Sequence, residues 1–189
     1  MRGQAKIIWI AILALLIGAA AYGVTSYNRL IQLHEQVPEA WSQVENVLQR
    51  RNDLIPNLVE TVKGYAKHEE KVFGDVSDAL KAFSRAQTIP QKIEASNQIT
   101  SLLGRILAVS VSYPNLKADA QFARLEDELA GTENRIAVER MRYNEAVRAY
   151  NSQVKTFPLS ALAALSHLPA SEVYFKAEEN AHTAPRVQF

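Results

Sequence analysis

The hydrophobic positions between Val44 and Phe83 recur at alternating intervals of four and three residues. The pattern covers twelve positions, and ten of them are apolar or aromatic. A period of 3.5 residues is typical of a helix that packs one narrow stripe against other helices, whereas a strand alternates at two. The pattern therefore predicts a long helix, from about Glu39 to Arg85, that needs helical partners. The twelve positions are Val44, Leu48, Arg51, Ile55, Leu58, Val62, Tyr65, Glu69, Val72, Val76, Ala79 and Phe83.

Two prolines interrupt this pattern. Pro38 is expected to break the preceding helix or to open the long one, because proline is tolerated in a first turn. Pro56 costs ~3 kcal/mol in a helix interior. Asp53 would offer an alternative by capping a new helix that starts before Pro56. Because the apolar period continues through Pro56, we favour one continuous, kinked helix.

Three further helices follow, at about Pro90–Val111, Lys117–Thr156 and Leu159–His167. Thr88 and Gln91 have the spacing of a capping box before the first of them. No segment shows the alternation of a strand. The fold class is therefore predicted to be all-α: an elongated antiparallel helical bundle of three long or medium helices plus a short fourth, with one N-terminal transmembrane helix.

The helix at Pro90–Val111 is about half as long as its neighbours. Antiparallel packing would then leave the first stripe partly uncovered near residues 44–62. We therefore expect that half to meet another chain or a second copy of this one.

Residues Ile7–Val24 contain no charged side chain over eighteen positions. As a helix this run is roughly 27 Å long, close to the ~30 Å apolar core of a bilayer. We favour an uncleaved anchor, although Ala19-Ala20-Ala21 also resembles the cleavage site of a signal peptide. Arg2 and Lys6 precede the span, and Arg29 is the one charge close after it, so the positive-inside rule predicts a cytoplasmic N-terminus and a body on the opposite side of the membrane.

The predicted organisation has four parts. They are an N-terminal tail (1–6), a transmembrane helix (7–27), a helical-bundle body (28–169) and a C-terminal strap (170–189).

Composition narrows the function classes. The 21 basic and 20 acidic residues give a net charge of +1. A nucleic-acid-binding protein would show a basic excess, so nucleic acid is not an expected partner. The chain has no cysteine, which excludes disulfides and thiolate chemistry. No metal ligands, cofactor site or catalytic residues are predicted. His68 begins the one metal-like run, His-Glu-Glu, but position 72, where a zincin helix carries its second histidine, is Val72.

Polar residues interrupt the apolar stripes. A charge inside a helix interface is costly unless it is paired. We favour pairing across helices that fixes their register. A ligand or acid–base site is one alternative, and a third is that the Arg51 side chain extends to solvent at the edge of the interface. The candidate polar cluster comprises Arg51, Asn52, Asp53, Glu69, Glu133, Asn134 and Arg135.

The dipeptide Tyr143-Asn144 recurs seven residues later as Tyr150-Asn151. This spacing favours tyrosines that point inward, with asparagines beside them that bond across helices. A glycan or substrate platform is the alternative.

Several ordered motifs together resemble the LemA family of bacterial membrane proteins, over about Tyr27 to the end of the chain. They are AWSQV (40–44), RRNDLIPNLVETVKGYAKHE (50–69), YPNLKAD (113–119), TENRIA (132–137), YNEAVRAYN (143–151), Phe157-Pro158, Tyr174-Phe175 and APRV (184–187). The resemblance implies one N-terminal span, a helical body and no established enzymatic activity. Because some members are linked to magnetosome membranes, it also implies a role in organising membranes.

These observations favour a non-enzymatic, membrane-anchored scaffold or adaptor of the cell envelope. Its expected partners are the bilayer, through the N-terminal helix, and either further copies of itself or another envelope protein. Two alternatives remain: a ligand-binding module or enzyme that uses the polar cluster, and a membrane-remodelling protein whose amphipathic helices bind lipid.

Overall fold

The computed structural model describes residues 2–171 and 173–176, the side chains from residue 6 onward. Over these residues the chain is helical, with no β-strand, so the predicted all-α class is confirmed. The helices are α1 (Arg2–Tyr65), α2 (Glu70–Arg85), α3 (Ile89–Ser112), α4 (Pro114–Lys117), α5 (Ala120–Val154) and α6 (Leu159–Leu165).

The described residues divide into two compact units. The span unit consists of residues 2–40 and 145–171, and the bundle unit of residues 41–144 and 173–176. Helices α1 and α5 each contribute to both units.

Four helices pack up-down-up-down in the bundle unit. In α1, Trp41 contacts Tyr143 of α5, and Arg51 contacts Glu133. These pairs run in opposite order along the two helices, so α1 and α5 are antiparallel. Asp75 of α2 pairs with Arg105 of α3 at 3.6 Å across the short connection that joins them, so these helices are antiparallel too.

The predicted helix from Glu39 to Arg85 is wrong at both ends. Its first part belongs to α1, which begins at Arg2 and passes Pro38 without a break. Helix α1 then ends at Tyr65, and the chain turns at residues 66–69 so that α2 folds back on α1, with Lys63 lying over the ring of Phe73. The expected continuity through Pro56 is confirmed. The apolar period stays in phase across the turn, so periodicity could not distinguish one long helix from two packed ones.

Other helices of the same chain cover the stripe that was expected to lack a partner, because Lys92 of α3 pairs with Glu45 and Glu133 of α5 pairs with Arg51. Val44, Leu48, Ile55, Leu58 and Val62 have no exposed surface. The expectation of an uncovered stripe at residues 44–62 is therefore wrong. An uncovered stripe therefore no longer supports self-association, which stays an untested prediction.

The start of α3 is confirmed. The hydroxyl of Thr88 accepts a hydrogen bond from the Gln91 N–H at 3.4 Å, and the Gln91 side chain accepts one from the Thr88 N–H at 3.3 Å. This capping box satisfies two donors that the first turn of a helix leaves unpaired.

The third predicted helix divides near its start. Helix α4 occupies residues 114–117, and α5 begins at Ala120. The Asp119 carboxylate accepts hydrogen bonds from the N–H groups of Gln121 and Phe122 at 2.8 and 2.9 Å. Asp119 therefore caps α5, which explains why the helix restarts there.

In the span unit, α1 carries a strongly apolar stretch. It is the one described helix long and apolar enough to cross a membrane, and the apolar window itself is unburied. Farther along α1, Leu30 forms a core with Tyr150 of α5 and Ala163 of α6.

Part of the predicted C-terminal strap falls within the described residues. Residues 170, 171 and 173–176 have no regular secondary structure, as expected of a strap. The remaining strap positions, including Ala184-Pro185-Arg186-Val187, lie outside the described residues.

Candidate functional site: a buried polar network and two strap clamps

Arg51 is the centre of the polar site in the bundle unit. Its side chain is 0% exposed, and arginine is almost never fully buried unless it is paired. The 3.5-residue stripe of α1 places it between Leu48 and Ile55, both fully buried, so the guanidinium group points into the bundle.

Four hydrogen bonds compensate for the buried charge. Nη1 donates to the Thr100 hydroxyl and to Glu133 Oε1, both at 2.8 Å. Nη2 donates to the Ser96 carbonyl at 3.2 Å and to the Ser96 hydroxyl at 3.1 Å. Within the described residues, Arg51 Nε has no partner. The network joins α1, α3 and α5, because Ser96 and Thr100 lie one turn apart on α3 and Glu133 lies on α5.

A second guanidinium group reaches the same hydroxyl. Arg140 Nη2 donates to Ser96 Oγ at 3.1 Å, and its guanidinium carbon lies 4.8 Å from the ring centroid of Phe175. The carboxylate of Glu133 is about one-third exposed, so it faces solvent on one side and Arg51 on the other.

The structure joins only two members of the predicted cluster, Arg51 and Glu133. Asn52 is buried beside Arg51, and its Oδ1 has no partner within the described residues. Asp53 is exposed and accepts a hydrogen bond from Gln49 at 2.7 Å, so it does not cap a helix. The alternative in which a new helix starts at Asp53 is wrong.

The other members lie apart from Arg51. Glu69 is half-buried in the turn before α2, where its backbone carbonyl accepts from the Val72 and Phe73 N–H groups. Asn134 and Arg135 are exposed on α5. Whether any member of the cluster has a functional role stays a prediction.

Sequence reasoning missed Ser96 and Thr100 and left Arg140 outside the candidate cluster. Ser96 is the one of these that carried a signal, because it is a hydroxyl within the buried face of α3, next to Ala95 and one turn before Ile99. A small hydroxyl on a buried helix face indicates that a larger polar group from another helix ends there.

The Tyr-Asn dipeptides form hydrogen bonds to backbone groups of residues 169–175. In the bundle unit, the Tyr143 hydroxyl donates to the Val173 carbonyl at 3.2 Å. The Asn144 amide donates to the Phe175 carbonyl at 2.9 Å and accepts from the Phe175 N–H at 3.0 Å. Asn144 therefore satisfies both backbone groups of one residue, as a neighbouring strand would.

The span unit contains the same arrangement one heptad later. The Tyr150 hydroxyl donates to the Pro169 carbonyl at 3.0 Å. Asn151 donates to the Ser171 carbonyl at 2.6 Å and accepts from the Ser171 N–H at 2.8 Å. In both clamps the asparagine binds the strap residue two positions after the one that the tyrosine binds. The expectation that the asparagines bond across helices is wrong for Asn144, because its partner is irregular backbone.

Aromatic packing reinforces the clamp in the bundle unit. The rings of Trp41 and Phe175 stack at 6.0 Å, and Tyr143 meets each of them edge-on, at 5.6 and 5.8 Å. Burial raises the pKa of the Tyr143 hydroxyl, and the neighbouring Tyr174 raises it further. Burial likewise raises the pKa of Tyr150 in its own unit. Both hydroxyls are therefore protonated donors at neutral pH.

This arrangement is suited to holding structure. The Arg51 guanidinium group has no exposed surface for a solute, and four of its five N–H groups are already used. The clamps satisfy backbone groups of the strap. Among the described residues, no group of three or more histidine, aspartate or glutamate side chains is arranged to hold a metal ion.

Comparisons with known proteins agree with the motifs. The family model described as "LemA family" matches residues 40–189. The magnetosome proteins MamQ 2 and MamQ 1 of Paramagnetospirillum magneticum are each 25% identical to this chain, over 78% of its length and 64% of theirs. The magnetosome protein MamQ of Magnetospirillum gryphiswaldense is 24% identical over the same shares. The chain therefore spans just under two thirds of the length of these relatives.

Proposed function

Because the chain belongs to the LemA family, we propose that it is a single-pass, membrane-anchored scaffold or adaptor of the bacterial cell envelope. It acts through protein–protein contacts or self-association and not as an enzyme. Its N-terminus lies in the cytoplasm and its helical body on the opposite side of the inner membrane.

The observation that carries this proposal is the contrast between the apolar stretch of α1 and the other helices. Large side chains within Ile7–Val24 are mostly more than half exposed, for example Ile10 at 68% and Leu15 at 72%. Elsewhere the long helices bury their apolar stripes within the chain. An exposed helix of this length and composition is stable in a bilayer and not in water.

The buried network supports a structural role for the bundle. Truncating a buried charge pair destabilises a fold, whereas an accessible catalytic group is usually dispensable for folding. Arg51 is inaccessible and bound from two helices, which favours its use in fixing helix register. The names of the MamQ relatives place those proteins in magnetosomes and favour a role in organising membranes.

Self-association is tested with two differently tagged copies of the full chain, co-expressed and extracted in mild detergent. We expect each tag to retrieve the other copy, and light scattering to give a protein mass that is a multiple of 21.1 kDa. Repeating the experiment with residues 7–24 replaced by an unrelated apolar span separates contacts of the span from contacts of the body.

The adaptor form is tested in parallel by purifying the full chain from native membranes. A stoichiometric envelope protein that co-purifies supports it. A strict monomer without any stoichiometric companion in native membranes contradicts both forms of the proposal.

A further inference from the structure

A groove in the span unit lies between the end of the apolar stretch and the short helix α6. Tyr22, Gly23 and Ser26 of α1 line one side. Pro158, Leu162 and Leu165 are among the residues on the other. The groove has a volume of about 340 Å³, and a Cβ added to Gly23 would meet no atom within 4 Å.

The position of this groove along α1 fixes its depth relative to the apolar run. Val24 is the last residue of that run, and the groove residues of α1 all lie within two positions of it. At 1.5 Å per residue, they lie within ~3 Å of the end of the run along the helix axis. If α1 spans a bilayer, α6 therefore lies at the membrane surface on the side of the body.

The segment around α6 has the composition that this depth requires. The fifteen residues from Phe157 to Ser171 contain no Asp, Glu, Lys or Arg. Phe157 and Leu165 are each 82% exposed, more than any other large hydrophobic side chain within the described residues. Tyr22 and Tyr27 are also exposed at this level of α1, and tyrosine favours the membrane–water interface.

We propose that α6 and the residues just before it form a second membrane-contacting element, which inserts Phe157 and Leu165 into the bilayer surface around α1. The exposed face of α6 adjoins the apolar surface of α1 at the groove, so both are covered by the same lipid, with acyl chains entering the groove. An interfacial helix buries its apolar face at the boundary between headgroups and acyl chains, and this segment has no charge to oppose that depth. This inference rests on the proposed membrane span and assigns a further lipid contact to the chain.

The absence of native cysteine allows a direct measurement of depth. Phe157→Cys and Leu165→Cys, each in the full chain, are labelled with a polarity-sensitive fluorophore. The labelled proteins are reconstituted into phosphatidylcholine–phosphatidylglycerol vesicles that contain lipids with a nitroxide on a shallow acyl carbon. Both original side chains are 82% exposed, so each substitution removes little packing.

Two reference positions calibrate the measurement. Leu15→Cys marks the middle of the span. Glu145→Cys is at an exposed position of α5, nine residues before Val154. It therefore lies ~13 Å along the helix axis from the end of α5. We expect labels at residues 157 and 165 to be quenched by the shallow nitroxide at least twofold more than the label at residue 145, and to resist aqueous iodide.

The outcomes separate the two proposals. Labels at 157 and 165 that respond to iodide as residue 145 does, while residue 15 is quenched by lipid, overturn the role of α6 and leave the span intact. Labels at 157 and 165 that resist both quenchers show a protein covering this face, which also overturns it. Quenching of the label at residue 15 by aqueous iodide overturns the membrane span and, with it, this inference.

Discussion

At the scale of single residues, the buried charge of Arg51 has the clearest consequence for the stability of the fold. Its hydrogen bonds to Ser96, Thr100 and Glu133 exist only because three helices meet at one point. Replacing one partner of a buried charge pair destabilises a fold more than replacing both partners by apolar residues, since the remaining charge is left uncompensated.

Arg51→Met is therefore expected to destabilise the protein by about 3 kcal/mol. Its neighbour Arg50 is exposed, so Arg50→Met serves as a matched control with little effect. Chemical denaturation of the full chain in mild detergent, followed by far-UV circular dichroism, measures both. Adding Glu133→Gln to Arg51→Met should recover part of the loss.

Equal stability of the two single variants would contradict a structural role for Arg51. A stable Arg51→Met protein that loses its cellular phenotype would favour the alternative of a ligand site.

His167 has an unfavourable backbone conformation. Its φ of 55° is the one positive value outside glycine in the described chain. Its N–H donates to Ala164, and the Leu168 N–H donates to Ala163, which together form the Schellman motif that ends α6. Leu168 also packs on the core that contains Ala163. Glycine adopts this conformation without the steric cost that a side chain incurs.

We expect His167→Gly to stabilise the protein by about 1 kcal/mol. Ser166→Gly is the control, because Ser166 has a φ of −93° and gains nothing from glycine. The thermal midpoint of the full chain in detergent measures both. A His167→Gly protein that melts no higher than wild type would show that the histidine makes a compensating contact.

At the scale of elements, the strap is held by side chains and not by secondary structure. In the bundle unit, Asn144 takes both backbone hydrogen bonds of Phe175, whose ring is buried against Trp41 and Tyr143. The Tyr-Asn repeat was visible in the sequence, but its partner was not, because irregular backbone has no periodicity to match.

Asn144→Leu should speed hydrogen exchange at the Phe175 amide by at least about fivefold, since a net hydrogen bond contributes roughly 1 kcal/mol. Asn134 is exposed on the same helix, so Asn134→Leu controls for the change from asparagine to leucine. Amide exchange of the full chain, followed by mass spectrometry of C-terminal peptides, reports both. Unchanged exchange in Asn144→Leu would show that aromatic packing alone holds the strap.

The start of α5 depends on ionised Asp119. The N–H of Phe122, and then the hydroxyl of Tyr65, hold the Asp119 pKa below its usual range. Because the folded-state pKa is lowered, the stabilisation is present above the unfolded value of about 3.9 and is lost as pH falls through the folded-state value.

Asp119→Asn keeps the capping oxygen and removes the charge. We expect its thermal midpoint to lie below that of wild type at pH 6, and the difference to shrink below the unfolded pKa and vanish once pH falls below the folded-state pKa of Asp119. Asp127→Asn is the control, because Asp127 is exposed within α5. A difference that is independent of pH would assign the loss to hydrogen-bond geometry instead of charge.

At the scale of the whole molecule, orientation is the property on which the proposed role depends. Arg2 and Lys6 precede the apolar stretch, and Arg29 is the first charge after it. The positive-inside rule then predicts that the N-terminus stays in the cytoplasm.

We therefore expect Met141→Cys, at a residue that is exposed on α5, to react with an impermeant maleimide in intact spheroplasts. Gln4→Cys should react only after the membrane is permeabilised. The reverse pattern would place the body in the cytoplasm and limit its partners to that side. Reaction of both positions in intact spheroplasts would contradict a membrane span.

The sequence by itself determined the features that depend on neighbours along the chain. The apolar period of α1 and α5, the capping box at Thr88 and the apolar stretch at Ile7–Val24 are each set within a few turns of helix. Local steric and hydrogen-bonding preferences decide them, so the all-α class could be predicted without coordinates.

Only the tertiary structure decided which helix faces meet. The turn at residues 66–69 keeps the apolar phase, so its fold-back could not be read from the period. The pairing of Arg51 with Glu133, and not with Glu69, and the binding of Phe175 by Asn144 depend on residues that are distant along the chain. Burial and desolvation select those partners, and neither is defined until the helices have packed.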